Sequence, residues 1–438
     1  MQLVENVTES LAAVEFYATD DNTGAWDRGP TDLSWSRDGK TIFARTADFA
    51  RVRIFALPSS PDLATELPKL VFKEGTTSSV QPLKDGKLFV SSTSFIDNSI
   101  YSIVDPVVGA ASNATSGTVL LSSNLDNGEK FGLSTKQISE FWYRGDGNYD
   151  SQGWIVKPSF FKEGETYPLF LHIHGGPQSV TSDSWSTLFN FAMFAEQGYI
   201  VIALNPTGST SFGQSYTDGI TNQWGGRAYN DVVLAWEYVA NNLPYVDMDR
   251  AVGVGASFGG YMINWIQGQE LGRKFKALFT HDGTFNTLSK HGTDELWFVD
   301  YDFNGTVSDS GLSSHLGITE YSLTSLLQLW ESWDNYARWN PANYTDNWAT
   351  PHLIVHSDKD YRLPISEGIA AFNVLQERGV ESIFLNFPDE GHSVTNPENV
   401  LVWEKTAMDF LNSHVGLPRY STEDDVEYRS LLNNGEWF

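Results

Sequence analysis

Ser257 lies in the pentapeptide GASFG at 255–259, which has the G-x-S-x-G pattern of a nucleophilic serine. An apolar stretch at 251–257 precedes this turn and a helix-forming stretch follows it. The two glycines allow a sharp turn in which larger side chains would collide with the strand or the helix. The turn would expose the Ser257 hydroxyl at a helix N-terminus, where free N–H groups face developing negative charge. The pattern predicts nucleophilic catalysis by Ser257; a glycine-rich turn without a catalytic role is the alternative.

A serine hydroxyl is a weak nucleophile and needs a histidine base that is oriented by a carboxylate. In folds that carry this turn, the chain order is serine, acid, histidine. Among nine histidines, His392 follows the apolar stretch SIFLNF through the loop PDEG, which is the position expected for the base. For the acid, the loop after PHLIVHS offers Asp358 and Asp360, and Asp282 follows an earlier apolar stretch. Position alone leaves these three aspartates open.

A tetrahedral intermediate also needs two backbone N–H donors, which form an oxyanion hole. One comes from the residue after the nucleophile, here Phe258, and the other from the loop after an early strand. The segment HGGP at 174–177 follows such a strand, and Gly175 and Gly176 would let the backbone approach the reacting carbonyl. The sequence therefore predicts Phe258, Gly175 and Gly176 as the oxyanion hole, with an ordinary β-turn at HGGP as the alternative.

Elements that could position these residues occupy 136–415, where apolar stretches of strand length alternate with amphipathic stretches of helical length. Such alternation predicts a parallel sheet covered on both faces, and with the serine turn an α/β-hydrolase catalytic domain. The carboxyl ends of its strands carry the chemistry. The predicted strands are PLFLHIH, YIVIALN, AVGVGAS, ALFTHDG, PHLIVHS and SIFLNF, and the clearest helices are YNDVVLAWEYVANNL and SEGIAAFNVLQERG.

Residues 1–135 have a different pattern, with short β-rich stretches separated by turns. The turn Asp38-Gly39-Lys40 recurs 47 residues later as Asp85-Gly86-Lys87, and the strands that follow also correspond. A repeat of this length predicts β-propeller blades, although Asp-Gly-Lys is also a common hairpin turn. Residues 1–135 hold two to three blades, whereas propellers close with about four to eight. We therefore expect a partial β-propeller and a chain that is the end of a longer one.

Composition excludes several function classes. The 438 residues carry a formal net charge of −27, which repels phosphate backbones and anionic headgroups, so neither nucleic acid nor membrane is expected as a partner. No apolar run approaches the roughly 20 residues of a membrane helix. The chain has no cysteine, which excludes disulfides and thiol nucleophiles, and no metal or organic cofactor is implied. The sequence leaves the oligomeric state open.

Location is indicated by glycosylation sequons rather than by a leader. N-x-[ST] sites occur at Asn6, Asn113, Asn304 and Asn343, and chance alone would supply a couple of them. The N-terminal residues MQLVENVTESLAAVEF lack a basic region and an apolar region, so no secretory signal is visible. The alternatives are a cytoplasmic protein and a secreted one whose true start lies upstream.

Taken in order, six motifs resemble the prolyl oligopeptidase family of serine peptidases, which join a β-propeller to an α/β-hydrolase domain. They are HGGP, NPTGSTSFGQ, WGGRAYND, GASFGGYM, DYRLP and DEGH, and they span nearly all of 140–415. The segments DELWFV, YARWNP and HSDKDYRLP are most similar to those of the secreted fungal dipeptidyl-peptidase V branch. Acylaminoacyl peptidases are the next most similar group.

This resemblance implies a site and a reaction. It selects Asp360 as the acid beside Ser257 and His392, because the family's aspartate precedes two residues and then an aliphatic one. It implies hydrolysis of short peptides with release of N-terminal dipeptides, in a secreted glycoprotein. We expect Phe258, Trp297 and Phe298 to line the substrate pocket, with plain core packing as the alternative for Trp297 and Phe298. The alternatives are an acylaminoacyl peptidase, an esterase, and a poorly active remnant.

Two positions and the C-terminal segment depart from the family's pattern. Thr207 stands where many relatives have arginine, and Ser357 stands where glycine is usual. The acidic tail at 416–438 has no counterpart in the resemblance. What the missing arginine would support is therefore unassigned by the sequence.

Overall fold

The structure is a computed structural model that describes residues 29–60, 68–106, 117–294, 302–303, 329 and 333–421. The chain divides into two compact units. The first comprises Met1–Ile138, Val180–Ala192 and Thr210–Thr217, and the second comprises Ser139–Ser179, Met193–Ser209 and Asp218–Phe438. The sequence predicted a domain boundary after residue 135, which is close to Ile138, the last residue of the first segment of this unit. The first unit also takes two segments that the sequence placed in the catalytic domain.

Two four-stranded antiparallel sheets form the described part of the first unit, each with its strands in sequential order. The first sheet contains β1 (Pro30–Trp35), β2 (Thr41–Ala47), β3 (Val52–Pro58) and β4 (Lys69–Phe72). The second contains β5 (Thr76–Pro82), β6 (Leu88–Ser94), β7 (Asp97–Val104) and β8 (Thr118–Ser123). Each sheet has the strand arrangement of a propeller blade. The all-β region is confirmed, whereas the number of two to three blades stays a prediction.

The repeated Asp-Gly-Lys turns occupy equivalent places, between the first and second strands of each sheet. Gly39 and Gly86 have φ values of 71° and 85°, a region that glycine adopts without steric cost. The N–H of Lys40 donates to Asp38 Oδ1 over 3.1 Å, and that of Lys87 donates to Asp85 Oδ1 over 3.3 Å. The two turns are thus built alike, which confirms the repeat.

The apolar core of the first unit lies between its two sheets. Strands of the first sheet contribute residues such as Phe43, Ile54 and Phe72, and strands of the second contribute residues such as Leu88 and Val90. These side chains are almost completely buried, and apolar burial of this kind is the main favourable term in folding.

The two separate segments of the first unit hydrogen-bond to its strand connections. Ala50, in the turn between β2 and β3, donates its N–H to Ser211 Oγ over 2.7 Å and accepts from the N–H of Asp183 over 3.1 Å. The carboxylate of Asp183 in turn accepts the N–H of Phe95 over 3.0 Å. Residues 180–192 and 210–217 are therefore structural parts of this unit.

An eight-stranded sheet forms the centre of the second unit, in the order β16-β15-β14-β13-β11-β12-β10-β9. The strands β11 to β16 are parallel to their neighbours in this set, and β10 pairs antiparallel with β12. The strands are β9 (Ile138–Arg144), β10 (Asp150–Val156), β11 (Tyr167–Ile173), β12 (Ile200–Asn205), β13 (Val246–Ala256), β14 (Ala277–His281), β15 (His352–Ser357) and β16 (Ser382–Phe387). The six predicted strands correspond to β11 to β16, and the α/β-hydrolase fold is confirmed.

The α-helices of the described chain are α1 (Phe191–Glu196), α2 (Gln214–Asp218), α3 (Arg227–Asn242), α4 (Phe258–Gln267), α5 (Trp333–Arg338), α6 (Ser366–Glu377) and α7 (Pro397–Val415). Every residue of α4 is buried, because this helix follows the serine turn into the interior. Both clearly predicted helices occur, as α3 and α6. Within the described ranges, no helix has the length and apolar character needed to cross a membrane.

Candidate active site

Ser257 lies at the point where β13 ends and α4 begins, as the G-x-S-x-G pattern predicts. Its backbone has φ 57° and ψ −119°, a conformation that non-glycine residues rarely adopt. Its N–H donates to the carbonyl of His281 over 3.0 Å, and its carbonyl accepts from Tyr261 N over 2.9 Å. Strained backbone at a strand-to-helix turn is typical of a nucleophilic serine.

The two glycines of the turn have no space for a side chain. A Cβ atom at Gly255 would collide with the carbonyl of Gly259, and a Cβ atom at Gly259 would collide with the carbonyl oxygen of Ile173. Both collisions are with backbone atoms, which cannot move aside cheaply. The strand, the turn and the helix can therefore pack this closely only with glycine at both positions.

Asp360 and His392 are in direct contact. His392 Nδ1 donates to Asp360 Oδ2 over 2.7 Å, in a pair whose aspartate side chain is fully buried and whose histidine is 22% exposed. The other carboxylate oxygen accepts the N–H groups of Arg362 and Leu363, each over 2.9 Å. This arrangement fixes the histidine tautomer and leaves Nε2 free to accept a proton.

Burial alone would raise the pKa of Asp360. The hydrogen bond and the charge of His392 act in the opposite sense, followed by the N–H of Leu363, and together they hold the pKa of this carboxyl below its usual value. Asp360 is therefore ionised at neutral pH, as a group that orients and stabilises an imidazolium must be.

The other two candidate acids have different partners. Asp358 is exposed and accepts from Asn386 Nδ2 over 2.7 Å. Asp282 is 1% exposed, and its carboxylate accepts the N–H of Ser357 over 2.9 Å and lies 3.3 Å from the Ser357 hydroxyl. Asp282 therefore ties the end of β14 to the end of β15, from which the Asp360 loop departs. The serine at 357 is explained by this contact.

The HGGP loop lies against Ser257. A Cβ atom at Gly175 would be 3.0 Å from Ser257 Cβ and 3.6 Å from Ser257 Oγ, and Gly176 has a φ of 120°. His174 is buried, with Nδ1 2.6 Å from the Gly175 carbonyl and Nε2 2.8 Å from Ser209 Oγ. Burial lowers the pKa of His174 to about 4, so this imidazole is neutral and supports the loop.

Phe258, the first residue of α4, has its side chain in the core. It is 2% exposed and packs against Trp224 and Tyr261, with ring centroids 5.0 and 5.7 Å away. The expectation that this ring lines a substrate pocket is thus wrong for the side chain, because it offers a substrate almost no surface. Its backbone N–H remains the predicted oxyanion donor. Trp297 and Phe298 lie outside the described residues.

Thr207, the position without arginine, binds a buried carboxylate instead. Its N–H and its hydroxyl donate to Asp231 Oδ2 over 2.7 and 2.6 Å, and the N–H of Asp146 donates to Oδ1 over 2.6 Å. Burial raises the pKa of Asp231 to about 6 against these hydrogen bonds. The short threonine therefore satisfies this carboxylate without an ion pair.

Glu390, two residues before His392, is a supporting group that the sequence reasoning missed. Its carboxylate accepts the N–H groups of Thr395 and Asn396 over 3.0 and 2.9 Å, and it also accepts from Asn399 Nδ2 over 2.7 Å. These bonds close the loop that carries the histidine. The motif DEGH was the available signal, because its glutamate is an acidic residue in a short loop beside the base.

One cluster has the composition of a metal site. Among the described residues, Asp282, His356 and Asp360 can place one ligand atom each within 4.8 Å of one another. However, His356 Nε2 donates to the Leu363 carbonyl over 2.8 Å, and both carboxylates have the protein donors given above. We assign this cluster to the network that supports the Asp360 loop.

Comparison with known proteins gives a family match and close relatives. A model of the prolyl oligopeptidase family matches residues 185–418. The dipeptidyl-peptidase 5 of Aspergillus fumigatus is 44% identical over 410 residues, covering 92% of this chain and 53% of the relative. The probable dipeptidyl-peptidase 5 of Aspergillus terreus is 46% identical over 398 residues, covering 90% and 51%. The chain thus spans about half the length of these curated relatives.

Solved structures share the fold at lower identity. The acylaminoacyl peptidase of Pyrococcus horikoshii aligns with a TM-score of 0.70 and 20% identity, over 92% of this chain and 58% of that one. The dipeptidyl peptidase 4 of Porphyromonas gingivalis aligns with a TM-score of 0.62 and 18% identity, over 90% and 52%. Both similarities concern the fold.

Proposed function

The chain belongs to the prolyl oligopeptidase family, and on that premise we propose that it is a serine peptidase that releases N-terminal dipeptides from short peptides. Ser257 is the nucleophile, His392 the base and Asp360 the acid. The observation that carries this proposal is the 2.7 Å contact between His392 Nδ1 and the buried carboxylate of Asp360. It leaves Nε2 as the imidazole atom available for proton transfer.

The reaction follows from these groups. His392 Nε2 takes the proton of Ser257 Oγ as the oxygen attacks the peptide carbonyl, and the imidazolium is stabilised by Asp360. The carbonyl oxygen becomes an oxyanion, for which the N–H of Phe258 and an N–H of Gly175 or Gly176 are the donors. His392 then protonates the leaving amine, which gives an acyl-enzyme. Water activated by the same histidine releases the acyl product and restores Ser257.

The dipeptidyl specificity is supported by the relatives named dipeptidyl-peptidase 5, at 44% and 46% identity. Acylaminoacyl peptidase is the second candidate, since a protein of that name shares the fold. Simple esters can be cleaved by the same groups and require less protonation of the leaving group, so esterase is the third candidate.

A panel of chromogenic substrates separates these activities. We expect kcat/KM for dipeptide anilides with a free amino terminus to exceed that for N-acetylated amino-acid anilides by at least about tenfold, which corresponds to about 1.4 kcal/mol of transition-state binding. Hydrolysis of simple nitrophenyl esters measures the activity of the triad independently of peptide recognition. A preference for the acetylated substrates would identify an acylaminoacyl peptidase, and turnover of esters alone would identify an esterase.

Secretion and glycosylation are also part of the proposal. They are supported by the four sequons and by the similarity to the secreted branch. Asn343 is an exposed residue in a short 3₁₀ helix at Pro341–Asn347, a position open to glycan addition. Asn6, Asn113 and Asn304 lie outside the described residues.

Expression with a fungal secretion leader tests the glycosylation of Asn343. Peptide-N-glycosidase should increase the electrophoretic mobility of the secreted protein, and Asn343→Gln should remove part of that shift. A glycan-free Asn343 peptide in mass spectrometry of the secreted wild type would contradict the assignment.

A further inference from the structure

Asp302 is a buried carboxylate of the second unit that receives two N–H groups from neutral side chains. Gln178 Nε2 donates to Oδ1 over 2.8 Å, and Trp224 Nε1 donates to Oδ2 over 2.7 Å. The backbone carbonyl of Asp302 accepts the N–H of Asn222 over 2.7 Å. The residue is 0% exposed. One aspartate therefore joins three segments that are distant in the sequence.

Both side-chain donors adjoin the predicted oxyanion hole. Gln178 directly follows the HGGP loop, whose Gly175 lies against Ser257. Trp224 packs edge-to-face on Phe258, with ring centroids 5.0 Å apart and an interplanar angle of 87°. The Asp302 carboxylate is thus linked to both elements that supply the predicted oxyanion donors. One hydrogen bond leads to the HGGP loop through Gln178, and the other leads to the Phe258 turn through Trp224.

We propose that Asp302 is a positioning residue that holds both halves of the oxyanion hole in register, the HGGP loop through Gln178 and the Phe258 turn through Trp224. This inference rests on the proposed peptidase function. Asp302 acts through these neighbours and does not touch the substrate. Oxyanion donors must be fixed before the reaction to stabilise the transition state, and a supporting group fully buried behind them serves that purpose.

The charge of Asp302 matters to this role. Burial raises the pKa of Asp302 to about 7, while the hydrogen bonds of Trp224 and Gln178 and the charge of Lys290 act in the opposite sense. Lys290, which is 5% exposed, is the charged side chain that faces Asp302 in the described part of the chain. The ionised carboxylate accepts both N–H groups. Protonation turns one carboxylate oxygen of Asp302 into a hydroxyl donor. The Trp224 indole can only donate, and the Gln178 amide has to turn to offer its Oε1, so protonation below about pH 7 rearranges the contact that supports the HGGP loop.

Asp302→Asn in the 438-residue chain tests the proposal, because the amide keeps the size and one acceptor. With a dipeptide anilide at pH 8, we expect kcat to fall on the order of 10- to 100-fold with KM changed less than about threefold, since the donors act mainly in the transition state. In the wild type, the deprotonation of Asp302 should contribute to the acid limb of the pH profile. The variant should lack this contribution. Asp409→Asn is the matched control, because the Asp409 side chain is only 10% exposed and accepts the Tyr420 and Ser421 N–H groups in the same unit. It should leave kcat and the acid limb of the pH profile unchanged.

Trp224→Phe and Gln178→Met each remove one hydrogen-bond donor to Asp302 and keep most of the side-chain volume. These two variants test the proposal if Asp302→Asn does not fold. A kcat-dominated loss in these variants supports the proposal. Folded variants with wild-type kcat and an unchanged acid limb overturn it, as does a loss confined to KM or to thermal stability. A wild-type chain that neither hydrolyses the anilide nor reacts with a fluorophosphonate overturns the proposed function as well, which distinguishes the two failures.

Discussion

Ser257→Ala is expected to abolish covalent labelling by a fluorophosphonate probe and to lower peptide hydrolysis on the order of 10⁶-fold. The reason is that no oxygen remains to form the acyl-enzyme at the turn between β13 and α4. The site should keep its shape, because alanine occupies the same backbone conformation as serine at φ 57°. Labelling with a fluorescent probe and a sensitive anilide assay measure both effects.

Ser413→Ala is the matched control for this change. Ser413 lies in α7 of the same unit, and its hydroxyl donates to the Phe410 carbonyl over 2.7 Å, away from the proposed site. Labelling and turnover of this variant should equal those of the wild type. If the folded Ser257→Ala protein is still labelled, another residue is the nucleophile and the assignment is wrong.

Asp360→Asn should lower kcat on the order of 10⁴-fold, the loss known for such a change in another serine triad. The geometry explains why. Asp360 Oδ1 accepts two backbone N–H groups, from Arg362 and Leu363, so the amide oxygen of asparagine should take that place. The amide NH₂ would then face His392 Nδ1 and force the imidazole to carry its proton on Nε2. In that tautomer His392 cannot accept the proton of Ser257.

Asp282→Asn provides the comparison, because Asp282 is the other buried acid near the loop. Its Oδ1 accepts the N–H of Ser357, and an amide oxygen can keep this bond. We expect a loss of less than about tenfold in kcat, with reduced thermal stability. The assignment of the acid fails if Asp360→Asn retains nearly wild-type turnover while Asp282→Asn does not.

The parallel strands were predictable because their burial leaves a simple signal in the sequence. All six residues of β12 are buried, so an unbroken apolar stretch is enough to identify the strand. The strands β9 and β10 were not predicted. β9 alternates exposed and buried residues at the edge of the sheet, and the two are separated by a short turn at Asp146–Asn148 rich in glycine and aspartate. Their place in the sheet depends on the pairing of β10 with β12 and of β9 with β10, which no local pattern records.

The places of Ser257 and His392 in the fold were predictable because their motifs are local. The choice of Asp360 as the proposed acid was not, since three aspartates occupy similar loop positions and only the resemblance to a family favoured Asp360. Supporting groups are harder still. Asp302 is separated by 124 residues from Gln178 and by 78 from Trp224, so its role depends on three segments that meet only in the folded chain.

The discontinuous first unit has a consequence for how the protein is made. Synthesis on the ribosome proceeds from the N-terminus, and residues up to Ile138 emerge about 80 residues before Thr217, the last residue of this unit. At a synthesis rate of about 5–20 residues per second, the segments that hydrogen-bond to the strand connections are made several seconds after the two β-sheets. During that interval Ala50 and Phe95 lack the partners supplied by Ser211 and Asp183. The first unit therefore reaches its final form only after Ser139–Ser179 and Met193–Ser209 of the second unit have been translated, and a single cut in the gene cannot separate the two units.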